Sequence, residues 1–176
     1  MIVESGYDKN KNLVAISLVN ELLLSNEKPV FLCVGSDKVV GDCLGVFVGE
    51  LLKKKYKING FIYGDFNVNI NANNLKEIVQ EIKKKHPNSP IVLVDAILGD
   101  IEEVGQVKFY RSGAIPGGEF NKGELVGDYS ILAVVGAKGI NALNFVKSVR
   151  LNLVVNLAEF IAESISRAYK FAQNLI

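Results

Sequence analysis

Residues 29–45 read PVFLCVGSDKVVGDCLG. The run 30–34 is short and apolar, without the polar alternation of a half-exposed strand, and it therefore predicts a buried strand. Gly35 ends this run, and a polar loop then leads to Asp42. Apolar residues at helical spacing from Leu44 onward predict a helix. Because open α/β sheets place their sites at the carboxyl edge of parallel strands, Asp42 is the first candidate functional residue.

Composition limits the classes of function. The chain has 176 residues, enough to bury a core, and its formal charge of +1 favours neither nucleic acid nor a membrane surface as a partner. Cys33 and Cys43 make no disulfide framework, which is typical of a reduced, intracellular setting. The sequence has neither a membrane-spanning apolar run nor the apolar core of a signal peptide. We therefore expect a cytoplasmic protein.

The hydrophobic spacing predicts one α/β domain over residues 1–176, with a leading helical segment at 1–28 and the core at 29–176. Helical spacing is found at 10–24, 75–85, 142–146 and 151–175. Apolar runs predict further strands at 58–63, 91–96 and 129–135. The alternating segment 105–111 predicts an edge or antiparallel strand, and the glycine-rich segment 113–127 predicts a functional or flexible loop.

A second carboxylate repeats the pattern of the first. The apolar run IVLVDA at 91–96 carries Asp95 near its end, so Asp42 and Asp95 could face one cleft. Two neighbouring carboxylates cannot both ionise cheaply, and one then holds a proton, which gives an acid and a base at the same pH. Such a pair can activate water on a peptide carbonyl. The alternative is that each aspartate only caps a helix or closes a turn.

Other catalytic and cofactor motifs are missing from the sequence. His86 is the only histidine and lies at a predicted helix end, where we expect a solvated position. Zinc would need both cysteines or mostly carboxylates at unusual spacings. No dinucleotide or phosphate-binding glycine motif is present. We therefore predict neither a metal nor a cofactor.

Six motifs carry a resemblance to a known family. They are GSDKVVGDCLG at 35–45, IYGDF at 62–66, VDAILG at 94–99, IPGG at 115–118, VGDYSI at 126–131 and VRLNLV at 149–154. Together they resemble the YyaC-type sporulation proteins, a family labelled as spore proteases, over roughly residues 30–165. More distantly, the chain is similar to the germination protease that degrades small acid-soluble spore proteins, and to the hydrogenase maturation endopeptidases.

This resemblance implies a three-layer α/β/α fold with a mostly parallel sheet, and it implies that Asp42 and Asp95 are the catalytic pair. Two departures stand out. Hydrogenase maturation endopeptidases bind nickel with two acids and a later histidine, and no histidine follows Asp95 here. The YyaC-type pattern carries a histidine in the loop after its Y-G motif, where this chain has Asn71, which cannot shuttle a proton.

The resulting hypothesis is a sporulation-associated, aspartate-dependent peptidase of the cytoplasm or forespore that acts on proteins such as small acid-soluble spore proteins. The turn Gly35, Ser36 and Asp37 would support Asp42, with Asn71 nearby. The loop of Pro116, Gly117 and Gly118 would offer backbone donors to an oxyanion. Two alternatives stay open: a non-catalytic peptide-binding or regulatory sporulation protein, and a small-molecule hydrolase or phosphorylase-like enzyme. A homo-oligomer is compatible with either.

Overall fold

The computed structural model describes residues 3–6, 17–18, 21, 27–116, 124–139 and 149–173. These residues form a six-stranded sheet with the order β1-β5-β6-β4-β2-β3. The strands are β1 (Val3–Gly6), β2 (Val30–Cys33), β3 (Phe61–Tyr63), β4 (Ile91–Gly99), β5 (Gln106–Tyr110) and β6 (Tyr129–Ala137). Strands β3, β2, β4 and β6 are mutually parallel, whereas β5 runs antiparallel to both β6 and β1. The predicted mostly parallel α/β fold is confirmed.

Within the described residues, three helices with defined bounds flank this sheet. They are α1 (Leu44–Glu50), α2 (Leu75–Lys85) and α3 (Leu151–Gln173), and α1 continues into a wider π-helical turn, Leu51–Lys55. The helix predicted at 75–85 has the predicted bounds. Of the leading helix predicted at 10–24, Ser17, Leu18 and Glu21 are helical and the rest lies outside the described residues. The segment predicted at 142–146 lies outside them entirely.

The two faces of the sheet bury separate apolar clusters, because successive strand residues point to opposite faces. On one face, α1 and α3 pack against Phe31 and Val92. On the other face, α2 packs against Leu32 and Leu93. Helices on both faces give the three-layer α/β/α arrangement that the sequence predicted.

Three strands differ from the prediction. The strand expected at 58–63 is hydrogen-bonded only at Phe61–Tyr63, and β1 was not expected. Strand β4 runs nine residues to Gly99, so Asp95 is its fifth residue and not its end. The extra length arises because β6 continues to pair with β4 after β2 has left the sheet. Segment 105–111 contains the antiparallel β5, as predicted.

Candidate functional site

A cavity of about 430 Å³ lies at the carboxyl edge of the parallel strands. Its walls come from the loop after β2, the loop before α2 and the segment after β5. It is lined by Val34, Gly35, Ser36, Lys38, Val39, Asp42, Asn71, Ala72, Asn73, Leu75 and Pro116. Asp42 is therefore one of the residues that line this cavity, whereas Asp95, which was predicted to face the same cleft, is not.

The cavity lies where the strand order changes direction. From β2 the chain passes through α1 to β3 on one side, and then through α2 to β4 on the other side. Helices α1 and α2 lie on opposite faces of the sheet, so the loops diverge and leave a crevice beside β2. Open α/β sheets bind their ligands in such crevices.

A tight turn holds Asp42 against the sheet. The Ser36 backbone N–H donates to the Asp42 carbonyl oxygen at 3.0 Å, and the Asp42 N–H donates to the Val39 carbonyl at 2.9 Å. Gly35 has a φ of 150°, and a Cβ at that position would lie 2.0 Å from the Asp42 carbonyl oxygen. Only glycine allows this approach. A Cβ on Gly45 would likewise meet the Val34 carbonyl oxygen at 2.0 Å.

The Asp42 carboxyl is partly buried and titrates near neutral pH. Burial raises its pKa from 3.8 to about 6, with a hydrogen bond from the Ser36 backbone acting in the opposite direction. Burial raises a carboxyl pKa because it disfavours the charged form. A carboxyl with a pKa near 6 can both accept and donate a proton at physiological pH.

Asp95 lies on the neighbouring strand β4, is only 2% exposed and does not line the cavity. The Val34 N–H donates to the Val94 carbonyl at 2.9 Å, so Asp95 comes directly after the last contact between β2 and β4. By strand alternation its side chain faces the same side of the sheet as Leu93, the side on which α2 packs. One carboxylate oxygen accepts a hydrogen bond from the Ala96 N–H at 2.8 Å.

The other predicted site residues fall into three groups. Ser36, Asn71 and Pro116 line the cavity with Gly35. Asp37 is exposed and does not line it, but its backbone N–H donates to Asn69 Oδ1 at 3.1 Å. Gly117 and Gly118 lie outside the described residues. Because proline has no N–H, Pro116 supplies apolar surface and no backbone donor, which corrects its predicted role.

Asp65, which was not predicted as a site residue, organises the loop after β3. Its carboxylate accepts hydrogen bonds from Lys53 Nζ at 2.6 Å and from the Asn67 and Val68 N–H groups at 2.8 Å each. Burial acts to raise the Asp65 pKa, but the Lys53 and backbone hydrogen bonds together hold it below its usual value. The GDF motif that carries Asp65 was the available signal.

Cys33, Cys43 and His86 are the remaining candidates for a nucleophile or a base, and none of them suits this role. Burial raises the Cys33 pKa to about 12 and also raises the Cys43 pKa, so neither thiol forms a ready thiolate. His86 follows the far end of α2, about 16 Å along the helix from Leu75. It is half-buried, stacking on Phe61 with ring centroids 3.7 Å apart, so the expectation of a solvated position was wrong.

Neither a metal cluster nor a membrane-spanning helix is found among the described residues. Within them, no group of three His, Cys, Asp or Glu side chains is arranged to hold a metal ion. No α-helix in the same ranges combines the length and apolar character that a bilayer crossing requires.

A family model described as "Protein of unknown function (DUF1256)" matches residues 4–164. The chain belongs to the DUF1256 family. A similar protein is "Uncharacterized protein YyaC" of Bacillus subtilis (strain 168), which is 34% identical over 138 residues, covering 78% of this chain and 67% of the relative. No solved structure matches the chain. The YyaC-type resemblance read from the motifs is therefore confirmed, and the DUF1256 match includes both Asp42 and Asp95.

Proposed function

We propose that this DUF1256 protein is an aspartate-dependent peptidase that uses Asp42 and Asp95 as its catalytic pair. The observation that supports it best is the position of Asp42, partly buried in a cavity at the point where the strand order reverses. The neighbouring strand carries Asp95 on the face of the sheet that packs against α2. Paired carboxylates at such a crevice suit hydrolysis with an activated water.

In the proposed reaction, Asp42 accepts a proton from water while the water oxygen attacks the peptide carbonyl carbon. Asp95 holds the shared proton and gives it to the carbonyl oxygen, which forms a tetrahedral diol. As the C–N bond breaks, Asp42 returns its proton to the departing amine, and the diol returns a proton to Asp95. One water and one amide become one carboxylic acid and one amine, and both aspartates recover their starting states.

Cavity residues support these steps in different ways. The Ser36 amide holds the turn at Asp42, and Asn71 offers its side chain at the cavity wall. The Asn71 carbonyl oxygen Oδ1 also accepts the Asn73 N–H at 3.1 Å, which orients that side chain. Asn71 therefore binds substrate through hydrogen bonds and takes no part in proton transfer. Backbone N–H groups of Gly117 and Gly118 would stabilise the charge that develops on the carbonyl oxygen before Asp95 protonates it.

The substrate and the cellular setting follow from the resemblance to sporulation proteins. We propose a protein or peptide substrate, with small acid-soluble spore proteins as the first class to test, in the cytoplasm of a spore-forming bacterium or its forespore. No cofactor enters this reaction, because both proton transfers use carboxyl groups of the chain.

The test is to incubate the purified chain with spore proteins and to map any new termini by mass spectrometry. Wild type, Asp42→Asn and Asp95→Asn are compared with Asp100→Asn, whose carboxylate is exposed and lies outside the cavity. We expect cleavage by wild type and by Asp100→Asn, and none by the other two. Undiminished cleavage by Asp42→Asn would remove Asp42 from catalysis.

A non-catalytic peptide-binding protein predicts another pattern. Folded wild type would then bind the peptides without cutting them, and the two aspartate variants would weaken binding by amounts that roughly add. Binding without cleavage across the spore-protein panel would favour that alternative over the peptidase.

A further inference from the structure

Asn69 joins two of the three segments that form the cavity, the loop after β2 and the loop between β3 and α2. Asn69 Oδ1 accepts a hydrogen bond from the Asp37 N–H at 3.1 Å, in the loop after β2. Asn69 Nδ2 donates to the Asp65 carbonyl oxygen at 3.0 Å, in the loop after β3. Both ends of a single amide are therefore used, one on each loop.

The position of Asn69 is itself fixed by its neighbours. Its carbonyl oxygen accepts a hydrogen bond from Asn74 Nδ2 at 2.9 Å, and Asn74 Oδ1 accepts the N–H of Asn71 at 2.9 Å. On the other side, Asp65 is held by Lys53. A side chain held in this way can restrain a loop that would otherwise have several conformations.

We propose that Asn69 is a positioning residue for Asp42, acting through the adjacent Asp37 and Ser36 peptides. The Ser36 N–H is bonded to the Asp42 carbonyl, and the next N–H along the chain is bonded to Asn69. Asn69 therefore fixes the backbone of Ser36 and Asp37, the part of the turn that lies against Asp42. This role rests on the proposed peptidase, because positioning matters for function only where Asp42 acts on a substrate.

The alternative is that Asn69 only closes its own loop. The two roles differ in what happens at Asp42, because a released turn admits water to the carboxyl. Burial is the larger cause of the raised Asp42 pKa, so weakening it outweighs the loss of the Ser36 hydrogen bond, which lowers that pKa. The charged or titratable groups in this turn are Asp37, Lys38 and Cys43, and the neighbouring strand β4 carries Asp95 one residue beyond its last pairing with β2. Removing the Asn69 amide leaves all of them in place, so a change at Asp42 reports the turn itself.

The experiment compares Asn69→Ala with Asn67→Ala, an exposed asparagine of the same loop whose backbone N–H, not its side chain, bonds to Asp65. The Asp42 carboxyl is titrated by carbon-13 NMR, and kcat and KM are measured on the cleaved spore peptide. In Asn69→Ala we expect the pKa of Asp42 to fall from about 6 toward 3.8. We expect kcat to fall by about tenfold to 100-fold with KM unchanged. Asn67→Ala should behave as wild type.

An unchanged Asp42 titration in folded Asn69→Ala would overturn the positioning role. If that variant does not fold, Asn69→Leu takes its place, because it removes the same two hydrogen bonds and fills more of the space of the side chain. The Asp42 pKa should again fall, and an unchanged value in the folded variant would overturn the positioning role. The titration needs no substrate, so absence of cleavage in wild type would sink the peptidase alone and leave the Asn69 result readable.

Discussion

The carbonyl oxygen of Asp42 lies 2.0 Å from the place that a Cβ on Gly35 would occupy. The backbone of the turn thus fills the space of a missing side chain, and the local sequence GSDKVVGD depends on it. Any larger residue must push the turn, and with it Asp42, away from β2.

Gly35→Ala should therefore lower the free energy of unfolding by about 3 kcal/mol, since it adds both a steric clash and an unfavourable φ. Gly139→Ala is the matched control, because Gly139 has a φ of 76° and no atom within 4 Å of its added Cβ. That control should lose about 1 kcal/mol from backbone strain alone. Urea unfolding measures both, and equal losses would show that the contact with Asp42 costs nothing.

Substitutions of Asp42 and Asp95 should have non-additive effects on kcat. Asp42→Asn and Asp95→Asn should each lower kcat by about 100-fold to 10,000-fold, because each removes one of the two proton-transfer groups. The double variant should be little worse than either single one. Single-turnover assays on the mapped spore peptide measure this, and losses that multiply would contradict a shared role.

The pH dependence of stability should report Asp42. The folded pKa of Asp42, about 6, lies above the value of 3.8 for a free carboxyl. The stability that the protonated carboxyl gives to the folded state is therefore complete below pH 3.8 and is lost as pH rises through 6. Asp42→Asn removes that loss and should gain stability over wild type between pH 4 and pH 7. Solvent screening of this partly exposed group limits the gain to about 1 kcal/mol. Melting curves across this range check the sign, and a gain that shrinks with rising pH would contradict it.

Asp65→Ala should destabilise the fold by about 2 kcal/mol, because it leaves Lys53 and two backbone N–H groups without their acceptor. Glu81→Ala breaks the exposed pair with Lys85 and should cost less than 0.5 kcal/mol or so. Urea unfolding of both variants compares a partly buried ion pair with an exposed one. A similar cost for the two would mean that the Asp65 loop is held by other contacts.

Native Cys33 and Cys43 should resist alkylation by iodoacetamide near neutral pH. Both are buried, and burial raises the pKa of each thiol. Mass spectrometry should find both labelled only after unfolding in urea. Rapid labelling of the native protein at either cysteine would contradict the buried positions.

Local patterns in the sequence predicted the helices and strands whose buried apolar residues form one continuous stripe along the element. Helix α2 was predicted with its bounds because its apolar residues keep helical spacing and His86-Pro87 ends it. The same patterns did not predict which strands pair with one another. Asp95 lies in the middle of β4 because β6 continues to pair with β4 beyond the point where β2 ends. The spacing of apolar residues within 91–99 does not show this.

The candidate site was predicted in part for the same reason. Asp42 and Asp95 could be found from the strands that precede or contain them. Asp65 was signalled by the GDF motif but was not singled out. Asn69 could not be found, because its side chain accepts a hydrogen bond from the Asp37 N–H, 32 positions away, in a loop rich in similar polar residues. Asx side chains in loops most often satisfy their own backbone, which conceals the few that join two loops.

The antiparallel strand β5 also sets an order of assembly. Among the described strands, β1 bonds only to β5, with Val3 opposite Phe109, so its pairing closes a loop of about 100 residues. Pairing of β2 with β3 closes a far shorter one. During synthesis β1 is made early and must wait for β5, while the central strands and α2 can already associate. Amide hydrogen exchange in a refolding chain should therefore protect β2 and β4 first and β1 last.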